Sequence, residues 1–202
     1  GSDPLGWYRA PERGDIFASA GADMSRLWRE VASSLGQLGD GDLARMQSYL
    51  DRNVEDLGLA FRLTGDERER PWPLGPMPVL IGAEEWDRLE AGLIQRAELL
   101  EHVVDDIYGE QKLINDGHLP AALASGSPNF ARRMVGLRPP GGYHLRIYAV
   151  DLARGPTGEW RVLSDRTRLP TGIGYALENR LALIRSTGGL LASIGARRIT
   201  EF

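Results

Sequence analysis

Four prolines fall within the eight residues Pro71-Trp72-Pro73-Leu74-Gly75-Pro76-Met77-Pro78. A proline offers no backbone N–H to a helix or a ladder, and it pushes the residue before it toward extended geometry. No helix and no central strand can cross such a stretch, so it predicts an ordered, extended connector. The chain then reads as two regions: residues 1–70, an irregular arm followed by helices, and residues 71–202, a mixed region.

Gly1-Ser2 reads as an expression scar, and Pro4, Gly6, Pro11, Gly14 and Gly21 mark the first twenty residues as the irregular arm. From Met24 the apolar residues Leu27, Trp28, Val31, Ala32 and Leu35 recur at helical spacing, and Gly36 ends the segment. A second helix is predicted over Asp42–Asp56, burying Leu43, Met46, Leu50 and Val54. The apolar run Leu57–Leu63 has strand character, and residues 64–69 read as an exposed polar loop.

Beyond the connector, Ala83–Tyr108 has the strongest helical pattern, with Trp86, Leu89, Leu93, Ala97, Leu100, Val104 and Ile107 along one face and Gly109 as the stop. Short helical pieces follow at 111–115 and 120–124, and Pro128-Asn129-Phe130 opens another turn of helix. Tyr143–Asp151 alternates and is rich in β-formers, Arg154-Gly155-Pro156-Thr157-Gly158 is turn chemistry, and Trp160–Asp165 is a second strand. Together these predict an antiparallel hairpin. Residues 166–174 read as a loop and 175–191 as a helix interrupted at Gly188-Gly189. The predicted fold class is α+β: a helical N-terminal region, then a mixed region whose antiparallel hairpin packs on helices.

Composition removes several functions. The formal net charge of -4 supplies no basic field for nucleic acid or an anionic membrane, and acids offset the local cluster Arg132, Arg133 and Arg138. No apolar run approaches the roughly 20 residues of a membrane span. With no cysteine there is neither a disulfide nor a thiolate metal site, and with no secretory pattern the cytoplasm is the expected compartment. His102, His118 and His144 lie far apart and lack the partners of a zinc site or hydrolase triad, and no Walker loop or nucleophile elbow is present.

What remains is a pair of acids. Asp151 closes the first predicted strand and Asp165 the second. A three-residue turn over Pro156–Gly158 would set Gly155 opposite Glu159 and Ala149 opposite Asp165, leaving both carboxylates on one face; a two- or four-residue turn would set them on opposite faces. Two neighbouring carboxylates repel unless a cation lies between them, and Mg²⁺ suits a site built from a few carboxylate oxygens and phosphate. Acids at strand ends also serve as ordinary turn-formers.

Asp165-Arg166-Thr167-Arg168-Leu169-Pro170-Thr171-Gly172 resembles the ATP-grasp element in which an acid, a spacer, an asparagine and a Leu-Pro-Gly turn close the magnesium site. Asp165 takes the place of the family's glutamate, and Thr167 departs from its asparagine. Arg138-Pro139-Pro140-Gly141-Gly142, Ala149–Pro156, Ser164–Thr167 and Gly174–Arg180 are similar to segments of circularly permuted ATP-grasp proteins, relatives of glutathionylspermidine synthetase. Pro71–Leu74 and Glu84-Glu85-Trp86 fit the family's early segment, so the likeness runs from about Trp28 to Arg185 and marks an N-terminal portion.

The resemblance implies an ATP- and Mg²⁺-dependent carboxylate–amine ligase acting on a small molecule or peptide. Within it, Asp151, Asp165 and Thr167 would hold the metal, and Arg166 and Arg180 would contact phosphate. Both arginines read equally as ordinary surface or ion-paired groups. Such nucleotide sites usually carry two lysines, whereas Lys112 is this chain's single lysine among 24 basic residues, so the ATP pocket is expected to be incomplete here. The alternative is a non-catalytic binding or assembly module that keeps the scaffold.

Overall fold

The computed structural model describes residues 8–9, 11, 15, 22–36, 40–63, 65–168, 172–187 and 193–198. Its elements run α1 (Ala22–Gly36), α2 (Asp40–Asp56), β1 (Ala60–Phe61), β2 (Arg70–Pro71), α3 (Ala83–Tyr108), α4 (Lys112–Asn115), α5 (Ala121–Ser125), β3 (Ala149–Arg154), β4 (Trp160–Arg166) and α6 (Ile173–Ser186). The class is α+β, with two small antiparallel pairs, β1–β2 and β3–β4. The arm, the Leu169-Pro170-Thr171 turn and Gly188-Gly189 lie largely or wholly outside the described residues.

The chain forms two compact units. One comprises residues 1–82, 154–159 and 171–202; the other comprises 83–153 and 160–170.

The first unit has an apolar core. Trp28 and Val31 of α1, Met46, Leu50 and Val54 of α2 and Ala182 of α6 are buried, with Val31 and Leu50 at 0% exposure. These are the inward positions of amphipathic helices, and each Val, Leu or Met side chain so withdrawn from water contributes about 1.5–3 kcal/mol. Leu43, expected to be buried, is 37% exposed. The short β1–β2 pair sets Ala60 opposite Pro71 and Phe61 opposite Arg70. Pro71 sits there without cost because a two-stranded pair is all edge. No helix crosses the proline connector; Gln47 of α2 donates to the Leu74 carbonyl at 3.0 Å, while Trp72 packs between Phe61 and Tyr175 at centroid distances of 5.9 and 4.7 Å.

The second unit is organised differently. Its apolar stripe on α3 is only half-buried, no α3 residue is fully buried, and Ala124 is the unit's one buried hydrophobic among the described residues. Polar groups on α3 hold the remainder. Glu85 accepts from Trp160 Nε1 at 2.8 Å, and Arg96 pairs with Asp165. Asp106 accepts from the backbone N–H groups of Lys112 and Leu113, and Tyr108 Oη accepts from the Ala131 N–H. The Tyr108 ring stacks on Phe130 and His144 at 5.4 and 5.9 Å.

One of these attachments explains a departure from the sequence reading. A strand was predicted from Tyr143, yet β3 begins only at Ala149. The Glu101 carboxylate takes the N–H groups of His144 and Leu145 at 2.8 and 2.7 Å, and Arg146 reaches the Pro140 carbonyl. Amides used this way are lost to a ladder. The predicted helical turn at 128–130 is a plain turn, with a short 3₁₀ turn at Arg132–Met134 instead.

Candidate functional site

The hairpin loop has three residues. Gly155 N–H donates to the Glu159 carbonyl at 2.7 Å and Gly158 N–H to the Gly155 carbonyl at 3.0 Å. Gly158 has φ 90°, the left-handed position such a loop needs and a side chain would strain. A regular ladder drawn back from this turn would pair Asp151 with Leu163 and Ala149 with Asp165, the same-face arrangement expected from the sequence.

The side chains do not follow it. Asp151 accepts from Ser164 Oγ and from Arg166 Nε and Nη2, the latter at 3.0 and 2.8 Å. Asp165 accepts from Arg96 Nε and Nη2, both at 2.7 Å, and from Tyr148 Oη at 2.5 Å. Ser164 and Arg166 flank Asp165, so in a pleated strand they face away from it. Asp151 therefore shares their face, and the two acids point to opposite sides of the hairpin.

Burial along β4 locates the cause. Trp160 and Val162 are half-buried with Arg161 and Leu163 exposed, but Ser164 is also exposed and Asp165 is half-buried. The alternation slips by one residue between Leu163 and Ser164. One extra residue on β4, with two residues standing against Asp151, would account for such a slip. The turn register and the Asp151–Ser164 contact differ by the same one residue.

Electrostatics follow the geometry. The two parallel Arg96 hydrogen bonds, helped by Tyr148, hold the Asp165 carboxyl down at about 2. Burial, then the bond to Asp165, pushes the Tyr148 phenol up to about 12. Arg166 and then Ser164 lower Asp151, and Arg166 is raised in return. The Asp151–Arg166 pair is open to solvent and the Asp165–Arg96 pair less so, with side-chain exposures of 42%/57% and 22%/44%.

A shared Mg²⁺ does not fit this arrangement. The two carboxylates point to opposite sides, and each is already paired with a guanidinium, Asp165 with Arg96 and Asp151 with Arg166. Among the described residues no group of three or more His, Asp or Glu is placed to hold a metal. Thr167 follows β4, exposed, and Arg168 leaves the strand to bond Asn129 Oδ1 at 2.6 Å. Of the two candidate phosphate arginines, Arg166 is engaged by Asp151, while Arg180 belongs to the first unit and donates to the Arg197 carbonyl. Lys112 pairs with Glu110 at 2.6 Å.

Sequence reasoning passed over Arg96, Tyr148, Ser164, Glu85 and Glu101. The available signal was Arg96 itself, one of two arginines on an otherwise acidic helix, bordering the apolar stripe.

Residues 78–202 match the family described as Circularly permuted ATP-grasp type 2. The chain is 36% identical over 175 residues to "Uncharacterized protein ML0605" of Mycobacterium leprae, covering 87% of this chain and 31% of that protein. It is 36% identical over 200 residues to "Uncharacterized protein Rv2411c" of Mycobacterium tuberculosis, covering 99% and 33%. A Frankia casuarinae protein provisionally named glutamate–cysteine ligase 2-2 is 37% identical over 168 residues, covering 82% and 19%. The chain thus spans about a third or less of the length of these relatives. No helix among the described residues is long and apolar enough to cross a membrane.

Proposed function

The chain belongs to the circularly permuted ATP-grasp family, and from that premise we propose that it forms the scaffold edge of a cytoplasmic ATP-dependent carboxylate–amine ligase without housing a self-sufficient ATP and metal site. Enzymes of this kind use ATP to turn a carboxylate into an acyl phosphate, which an amine then attacks; the name of the Frankia relative fits that chemistry with amino-acid substrates. The observation that carries the reading is the closed state of the hairpin: both acids already have their cations, Arg96 and Arg166. The paired Lys112 supports it, since no other ammonium side chain exists in the sequence to meet a polyphosphate.

The role that resemblance gives Asp151, Asp165 and Thr167 as Mg²⁺ ligands, and Arg166 and Arg180 as phosphate contacts, requires both ion pairs to open and Asp165 to change faces. The residues do not fit the ion as they stand, and no reaction step is assigned to it. What the chain's own groups do is hold position: Arg96 and Tyr148 fix Asp165, and Arg166 and Ser164 fix Asp151.

Titration calorimetry of the chain with ATP and MgCl₂ tests the proposal. The expected result is no saturable binding tighter than about millimolar, a free energy near -4 kcal/mol, and no phosphate release. Micromolar binding or turnover by this chain would show a complete site and overturn it.

A further inference from the structure

Polar attachments join β4 to α3 near each end of the strand, among them Trp160 Nε1 to Glu85 and Asp165 to Arg96. Glu85 and Arg96 are eleven residues apart, about 16 Å along a helix and only about 20° around it, so they sit on one face in line. Trp160 and Asp165 are five residues apart, about 16 Å along a strand. The lengths match, but the parity does not: in a regular strand an odd separation puts the two side chains on opposite faces. One extra residue at Leu163–Ser164 would restore them to the same face.

We propose that β4 carries a bulge at Leu163–Ser164 as a keying device which aims Asp165 at Arg96, making Arg96 the resident cation of the hairpin in place of a divalent metal. Arg96 is then a positioning residue: it acts through Asp165, and by filling that carboxylate's coordination positions it excludes a metal ion. Guanidinium suits the task because its fork engages both carboxylate oxygens at once and carries its charge at any working pH. Tyr148 Oη, donating to Oδ1, completes the set. The inference concerns the hairpin alone and stands whether or not the ligase reading holds.

The test uses the full chain with Mn²⁺ as a paramagnetic probe in amide NMR spectra, with no nucleotide present. In the native protein, cross-strand nuclear Overhauser contacts should pair Asp151 with both Leu163 and Ser164; a ladder pairing Ala149 with Asp165 would sink the proposal. Mn²⁺ should leave the Tyr148 and Asp165 amides sharp in the native protein and in R96K, which keeps a cation in place. In R96Q these signals should lose most of their intensity, and R96Q/D165N should restore them. Hydrogen exchange across β4 should quicken about fivefold in R96Q, the upper range for an exposed ion pair, with α2 unaffected. Broadening in the native protein that D165N abolishes, or an R96Q protein indistinguishable from native, would refute the assignment. Should R96Q fail to fold, seen as lost protection in α2, the native and R96K spectra still decide.

Discussion

The two units of this chain solve the same problem with different forces. The first buries Val31, Leu50, Trp28, Met46 and Val54 from helices whose apolar faces meet. The second leaves its main helix without one fully buried residue and attaches loop and hairpin to it through Glu85, Arg96, Glu101, Asp106 and Tyr108. Apolar burial is non-directional and tolerates small shifts; hydrogen bonds are directional and fix individual backbone atoms. A unit built the second way gains definition at chosen points and is more exposed to salt, pH and single polar substitutions.

The sharpest way to break this contrast is at its apolar end. Leu50→Ala should cost about 2–5 kcal/mol, the usual range for emptying a core position, and chemical denaturation should report it. A loss below about 1 kcal/mol would mean that the first unit is not core-driven. Next is Glu101→Ala, which strands the N–H groups of His144 and Leu145. A cost of about 1–3 kcal/mol is expected, together with faster hydrogen exchange at those two amides. If they stay protected, the polar account of the second unit fails at its best-placed attachment.

Salt sharpens the comparison more gently. Near 1 M salt the screening length shrinks to about 3 Å, so exchange in β4 should speed up while amides of α2 hold. Acid acts on the same element. Asp165 has its carboxyl at about 2, below the ordinary 3.8, so its contribution is present above the ordinary value and is lost as pH falls through about 2. Its carboxyl carbon shift should titrate near 2; a midpoint near 4 would mean that the Arg96 pair does not persist in solution. The smallest effect belongs to Arg166→Gln. Its pair with Asp151 is open to water, so stability should be unchanged within error, and a clear loss would mark the outer face of the hairpin as structural.

How far the sequence could be read depended on whether the signal was local. The helix of α3 was legible because 26 residues repeat one period, and Gly155 and Gly158 marked a turn, though the sequence left its length open between two, three and four residues. The connector was legible because proline forbids the alternatives. The strand predicted from Tyr143 was shortened by Glu101, more than forty positions away in sequence. The candidate acids were found by type and spacing, but their facing was not, since that inference assumed unbroken alternation.

The sequence by itself determined the α+β class, the long amphipathic helix, the presence of a hairpin, and the likeness to ATP-grasp proteins. Each rests on neighbours whose backbone preferences add along the chain. Only the tertiary structure decided which cation each acid meets. Asp151 meets Arg166 two positions past Ser164 on the neighbouring strand, and Arg96, 69 residues from Asp165, becomes that acid's partner only when strand and helix lie side by side.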